Sequence, residues 1–372
     1  MLAALLRIAA LTRKELLALL KDRRARNSLL LPPIIQTLIF GYAATYDLNH
    51  VPYAVLNQDG GTISRELIAD FDGSGIFDRV GNLDRPAQIR TYIDDRRALI
   101  AIRIGADFGR KLESGQPANV QVIADGRDSN TAATALGYAG AIVEGFNARW
   151  RDSHGLPGPA VTVAERSWYN PNLETRWTMI PGMIGTLTLL QTLLLTAMSV
   201  AREREEGTFD QLLVTPFRPF EIMVGKAAPC ILIGLIQATG VLLVAQLWFR
   251  IPFAGSFLTL YAGMGCFVLA SVGLGLLVSA FSYTMQQAML YSFLMIMPFA
   301  MLSGLTTPIG NMPVALRYFT YANPLRYAVD IAQRVYLEGT GFIQLMPDIW
   351  PLAIMAFVTL GAASWIFHNR LQ

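Results

Sequence analysis

At 372 residues, with 53% hydrophobic and only 15% charged side chains and a mean hydropathy of +0.39, the chain falls outside ordinary soluble proteins and among polytopic membrane proteins. A net charge of +3 is too small to imply nucleic acid as a partner, and clustered basic residues in a membrane protein report orientation first. The two cysteines, Cys230 and Cys266, lie in apolar runs, and His50, His154 and His368 are isolated, so neither a disulfide framework nor a metal site is legible.

Residues 1–27 hold leucines at 2, 5, 6, 16, 17 and 20 among Arg7, Arg13, Lys14 and Lys21, the pattern of an amphipathic helix lying at the membrane interface. The charges interrupt the apolar core that a signal peptide would need. A first span is expected over 28–46, with Pro32 and Pro33 near its start, where missing amide hydrogens matter least. Lys21, Arg23, Arg24 and Arg26 immediately precede it, which predicts a cytoplasmic amino terminus.

Residues 47–176 change character. Strand-like runs (53–56, 99–104, 120–124, 161–164) alternate with helix-like ones (64–71, 86–95, 106–112, 131–149), which argues for an α/β domain with a largely parallel sheet. One span after a cytoplasmic terminus, this domain is expected outside the cytoplasm. Gly60-Gly61-Thr62 lacks the rest of a phosphate-loop pattern, and nothing in the domain reads as catalytic.

Five further spans are expected at about 178–200, 227–249, 258–280, 287–305 and 349–367. The fold class is therefore a polytopic α-helical membrane protein of six spans, both termini cytoplasmic, with an α/β extracytoplasmic domain inserted between the first and second spans. A charged island, 201–226, separates the second and third spans. It opens with Arg202, Glu203, Arg204, Glu205 and Glu206, turns at Gly207-Thr208, and continues as a short amphipathic segment through Phe209, Leu212, Leu213 and Val214 that Pro216 stops. A lipid-binding helix would carry mostly Lys and Arg on its polar face, so mixed charge suits docking to a protein. On charge alone a solvated loop explains the island equally well; the order of elements favours docking. Between the last two spans, Arg326, Asp330, Arg334 and Glu338 recur every fourth residue as an ion-pair ladder, with Val329, Ala332, Val335 and Tyr336 opposite. This segment, within 306–340, reads as a helix dipping back against the outer membrane surface.

None of the six spans, within those limits, contains an ionisable side chain, which argues against an engine driven by an ion gradient. Thr186, Thr188, Gln191, Thr192, Thr196, Gln237 and Gln246 are neutral polar groups best explained by hydrogen bonding between helices. Gln191 and Thr192, with Met295 and Met297, are the candidates for lining a pathway, methionine being adaptable packing for varied apolar substrates. No G-x-x-x-x-G-K-[ST] occurs, and Gly225-Lys226 lacks the upstream glycine and the hydroxyl. A transporter without its own motor needs an external one, and the island is its natural contact.

Together the motifs resemble the ABC-2 type permeases, the membrane subunits of bacterial ABC exporters, over nearly the whole chain. TRKELLALLKDRR is similar to the family's interfacial helix, YNPNLETRWTMIPG to the entry into its second span, and SVAREREEGTFDQLLVTPFRPFEIMVGK to its coupling segment. LSGLTTPIGNMP followed by YANPLRYAVDIAQRVYLEG is similar to its re-entrant region. The large domain after the first span resembles the drug-efflux branch. The resemblance implies a non-catalytic subunit of the bacterial inner membrane that exports amphipathic small molecules such as antibiotics. A separate cytoplasmic ATPase, binding ATP and Mg, would meet Glu203, Arg204, Glu205, Gly207, Thr208, Gln211, Leu212, Leu213 and Thr215. A sister permease or a second copy would complete the pore, with room for a periplasmic adaptor and an outer-membrane channel. The alternative is a membrane-anchored receptor or assembly scaffold that acts through its outer domain.

Overall fold

The computed structural model describes residues 2–21, 23–43, 48, 50–127, 129–156, 169–170, 174–207 and 219–370. These fall into two compact units, one of residues 45–166 and one of residues 1–44 with 167–372. Of the elements read from the sequence, the strand-like run 161–164 lies outside the described residues.

The smaller unit is built from β1 (Val51–Asn57), α3 (Thr62–Gly73), β2 (Phe77–Asn82), α4 (Ala87–Asp94), β3 (Ile100–Ile104), α5 (Phe108–Glu113), β4 (Val120–Ala124) and α6 (Ser129–Ser153). The sheet order is β2-β1-β3-β4; β1 runs parallel to both β2 and β3, whereas β4 is antiparallel to β3. Period-two alternation along β1 divides the core. Val51, Tyr53 and Val55 join Phe71 and Phe77 on one face, while Ala54 and Leu56 join Leu83, Ile89 and Ala101 on the other. The Tyr53 hydroxyl donates to Asp72 Oδ1 at 2.5 Å, and Asp72 pairs with Arg79 at 2.9 Å. Burial and that carboxylate together push the phenol well above its ordinary range. The edge strand β2 escapes sequence reading because Asp78, Arg79 and Gly81 break its alternation, as charges on an exposed edge do. At Gly60-Gly61, Asp59 Oδ2 accepts from the Gly61 amide at 3.1 Å and Oδ1 from the Gly109 amide at 3.0 Å. The chain's own carboxylate thus fills the position that an anion would need.

The larger unit contains α1 (Leu2–Lys21), α2 (Arg23–Ala43), α7 (Thr175–Glu205), α8 (Pro219–Leu243, continued by a π-helical turn, Val244–Trp248), α9 (Phe257–Phe281), α10 (Met285–Met301), α11 (Val314–Thr320), α12 (Pro324–Gln333, with a π-helical turn, Arg334–Glu338) and α13 (Met346–Arg370). Among the described residues four helices are long and apolar enough to cross a membrane: Thr175–Glu205, Phe220–Trp248, Phe257–Phe281 and Phe342–Phe367. A shorter apolar stretch is Leu29–Ala43. α10 reaches roughly 26 Å at 1.5 Å per residue, short of a hydrocarbon core of about 30 Å; it stops at Met301 rather than 305 because Pro298 and Gly304 weaken the helical ladder behind it.

Pro32 and Pro33 do not sit at a helix start. α2 begins at Arg23, so both prolines are interior and the carbonyls four residues back lose their donors. Gln237 Nε2 from α8 replaces one of them, donating to the Leu29 carbonyl at 2.9 Å. Thr192 and Thr196 donate back to their own helix, to the carbonyls of Thr188 and Thr192 at 2.6 Å each. α7 packs closely on its neighbours through small residues. At Gly275 of α9 a Cβ would come within 2.7 Å of Thr196 Cβ.

Candidate functional site

The ends of α7 and α8 that flank the charged island form a clasp with α1. α7 continues through Arg202 to Glu205, and α8 begins at Pro219, so residues read as loop are helical on both sides. On α8, Glu221 lies in the first turn, where the helix dipole favours an acid. Arg7 of α1 grips it with a two-pronged contact, Nε to Oε2 at 2.9 Å and Nη2 to Oε1 at 2.6 Å. That carboxylate raises the Arg7 pKa above its ordinary value. Five residues on, the Lys226 side chain is only 1% exposed; Nζ lies 2.7 Å from Glu203 Oε1 on α7 and 3.7 Å from Glu15 Oε1 on α1. A buried ammonium needs such partners, because desolvation without them costs several kcal/mol.

Between the two ion pairs, Leu11 of α1 lies directly on Gly225, where a Cβ would meet Leu11 Cδ2 at 2.5 Å. Only glycine permits this approach. The Gly225 carbonyl has lost its usual helical donor because Pro229 occupies the position four residues later, and Thr12 Oγ1 approaches it at 3.5 Å. The pair Gly225-Lys226 is therefore the seat of α1.

The other side of α7 holds the next helix junction. Arg204 Nη1 lies against the last carbonyls of α9, at 3.0 Å from Ser282 O, 3.2 Å from Ala280 O and 3.5 Å from Ser279 O. A cation there both satisfies open carbonyls and complements the dipole. Its neighbour Glu205 accepts from the Met285 amide, the first residue of α10, at 2.8 Å. Consecutive residues of opposite sign thus bind a helix C-terminus and the following N-terminus. α7 ends where Glu206 N donates to Arg202 O and Gly207, at φ +70°, turns into the left-handed region. Thr208, Gln211, Leu212, Leu213 and Thr215 lie outside the described residues.

At the opposite end of the bundle the ladder differs from its sequence reading. Arg334 Nη1 reaches Asp330 at 3.3 Å and Arg334 Nε reaches Glu338 at 3.7 Å, but its shortest ion pair is with Asp348 of α13, at 3.0 Å. Arg326 does not join this chain of ion pairs. Its guanidinium stacks over the Tyr321 ring at 4.2 Å and donates to Thr320. A π-helical turn, Arg334–Glu338, follows Gln333 and carries both Arg334 and Glu338. Val329, Ala332, Val335 and Tyr336 are buried. Within the YANPL run, Asn323 caps α12 by accepting from the Leu325 amide at 3.0 Å and donates to Phe299 O of α10 at 2.8 Å.

The four pathway candidates differ in exposure. Thr192 is fully enclosed between α7 and α8, Gln191 and Met295 are half-buried, and Met297 is 65% exposed on α10. Among the described residues no group of His, Cys, Asp and Glu could hold a metal ion. Sequence reasoning missed Arg7, Glu15, Glu221 and Lys226 as partners, and with them the fact that ionisable groups just beyond the apolar limits are buried within helices. One available signal was Glu15, the lone acid among the cations of residues 7–21.

Residues 28–365 match the family described as ABC-2 family transporter protein. The chain is 39% identical over 366 residues to the probable multidrug ABC transporter permease YbhR of Escherichia coli K12, covering 98% of this chain and 99% of that protein. It is 28% identical to the probable multidrug ABC transporter permease YbhS of the same organism, covering 98% and 97%. It is also 28% identical to the inner membrane transport permease YhhJ, again from Escherichia coli K12, covering 96% and 93%.

Proposed function

We propose a coupling route for this chain, which belongs to the ABC-2 transporter family and is the non-catalytic permease subunit of a probable multidrug ABC exporter. It is a multi-pass transport permease of the inner membrane. In the arrangement we propose, α2, α7, α8, α9, α10 and α13 are six spans with both termini cytoplasmic, α12 is re-entrant from the outer side, and the sheet unit is periplasmic. A separate cytoplasmic ATPase docks on residues 203–215, its ATP and Mg held by that subunit. A sister permease or a second copy completes the pore, and a periplasmic adaptor with an outer-membrane channel fits the same plan. The substrates are amphipathic small molecules, in keeping with the multidrug designation of the relatives.

One observation carries the route: adjacent on α7, Glu203 pairs with Lys226 of α8, which also faces Glu15 of α1, Arg204 reaches the end of α9, and Glu205 the start of α10. A push on the segment after Gly207 therefore reaches five helices through short charged contacts, with no ionisable group needed deeper in the bilayer. The test is ATPase activity and drug accumulation for Arg204→Ala and Gly207→Val, assembled with the partner subunits. Both variants should insert normally and lose export, and Gly207→Val should reduce ATP hydrolysis because a β-branched residue resists φ +70°. Normal export by both variants would refute the route.

A further inference from the structure

Between α8, α9 and α13 lies an apolar groove of about 770 Å³. Phe220, Val224 and Ile231 of α8 form one wall, and Phe357, Gly361 and Trp365 of α13 the other. From Phe220 to Ile231 the groove follows α8 for roughly 16 Å at 1.5 Å per residue. Half of a hydrocarbon core of about 30 Å is roughly 15 Å. Phe220 stands at the start of α8 and Trp365 near the end of α13, whereas Leu269, at the groove's floor, is midway along α9. The groove therefore runs from the membrane surface to the bilayer centre and stops there. Its sides are open, with Phe357 82% and Trp365 66% exposed.

Chemistry separates the occupants. A pocket that orients a drug-sized molecule carries a few convergent polar groups, but the only side-chain hydroxyl or amide among these lining residues is that of Ser364. A featureless slot one leaflet deep suits a hydrocarbon chain.

We infer that this groove is a binding site for one acyl chain of a phospholipid from the cytoplasmic leaflet, held beside the clasp. The leaflet assignment rests on the topology proposed above; occupancy of the groove does not. Gly361 gives a clean way to fill it, since a Cβ there meets nothing within 4 Å and helix packing is left alone.

The experiment is native mass spectrometry of the full chain purified in mild detergent after reconstitution with long-chain phosphatidylglycerol. One phospholipid per chain should survive delipidation, and Gly361→Leu with Ala228→Phe should cut the retained fraction about tenfold. In the unaltered protein, a phosphatidylglycerol with chains half as long should fail to replace the long-chain lipid, because it would fill only half the slot. Equal retention in the filled variant, equal retention of the short-chain lipid, or displacement of the lipid by an exported amphipathic compound would each overturn the site. So would a Phe357→Cys crosslink showing that a sister permease covers the groove. An inverted topology would leave retention intact and would show itself in thiol labelling instead.

Discussion

Replacing Lys226 by methionine keeps the length and apolar stem of the side chain and removes its charge. The ammonium is 1% exposed, with Glu203 at 13% and Glu15 at 22%, so Lys226→Met leaves two carboxylates facing each other in a partly dry site. Removing one member of a buried pair costs about 3–5 kcal/mol; since both acids retain some access to water, we expect about 3. For a cooperative unit of this size, that corresponds to a fall of roughly 6–12 °C in apparent melting temperature at fixed scan rate. Glu203→Gln alone should cost less, because Lys226 keeps Glu15 at 3.7 Å. The double variant, Lys226→Met with Glu203→Leu, should recover at least half of the lost stability, since an apolar pair replaces an ionic one. It should not recover export, because the link from α7 to α1 stays broken. Additive losses in the double variant would refute the pairing, and full export by it would show that the clasp serves stability alone.

Three further outcomes follow from the same geometry. Gly225→Val should displace α1 and cost about 1–3 kcal/mol by overpacking, and Leu11→Ala in the same chain should restore most of it; a wild-type melting curve for Gly225→Val alone would contradict the 2.5 Å approach. At the other end of the bundle, Asp348→Asn should loosen α12 from α13 more than Glu338→Gln does, because Asp348 is nearer to Arg334 (3.0 against 3.7 Å) and less exposed (16% against 41%); proteolysis between the two helices reads the difference, and equal rates would discount the inter-helix pair. Ser114→Cys and Glu206→Cys, placed singly in a chain lacking Cys230 and Cys266, should react with an impermeant thiol reagent from opposite sides of the membrane, and labelling of both from outside would sink the six-span arrangement.

Much of this was legible from local patterns. β1 and β3 were readable because their apolar residues form dense runs, and α3 and α6 because their apolar residues recur at helical spacing. β2 was not, since an edge strand is held by its neighbour's backbone and shows its charges to water. Asn323, quoted only as part of the YANPL run, caps α12 and also holds α10, a contact that local sequence does not show. The ladder was half right: four-residue spacing placed Asp330, Arg334 and Glu338 on one side, yet a π-helical turn is invisible to a 3.6-residue period, and Asp348 belongs to another helix altogether. Pro32 and Pro33 misled for a related reason. A proline inside a helix is expensive only if the freed carbonyls stay unsatisfied, and Gln237, 208 residues away, supplies a donor.

The same logic explains why charge was underestimated at the clasp. Read alone, Glu203, Glu221 and Lys226 look like solvated residues at the edges of apolar spans, since a lone buried charge would be costly. Three helices in contact change the comparison. Arg7 and Glu15, eight residues apart on α1, fall within about 80° of each other around the helix, so one helix presents opposite charges to Glu221 and Lys226 at once. Reversing the order of these two α1 residues would set like against like at both contacts. The pattern therefore fixes the register of α1 on α8 as well as holding it, and a sliding movement of α1 must break both ion pairs together. Such an all-or-none contact suits an element that moves as one body with α8 when the adjoining segment is pushed.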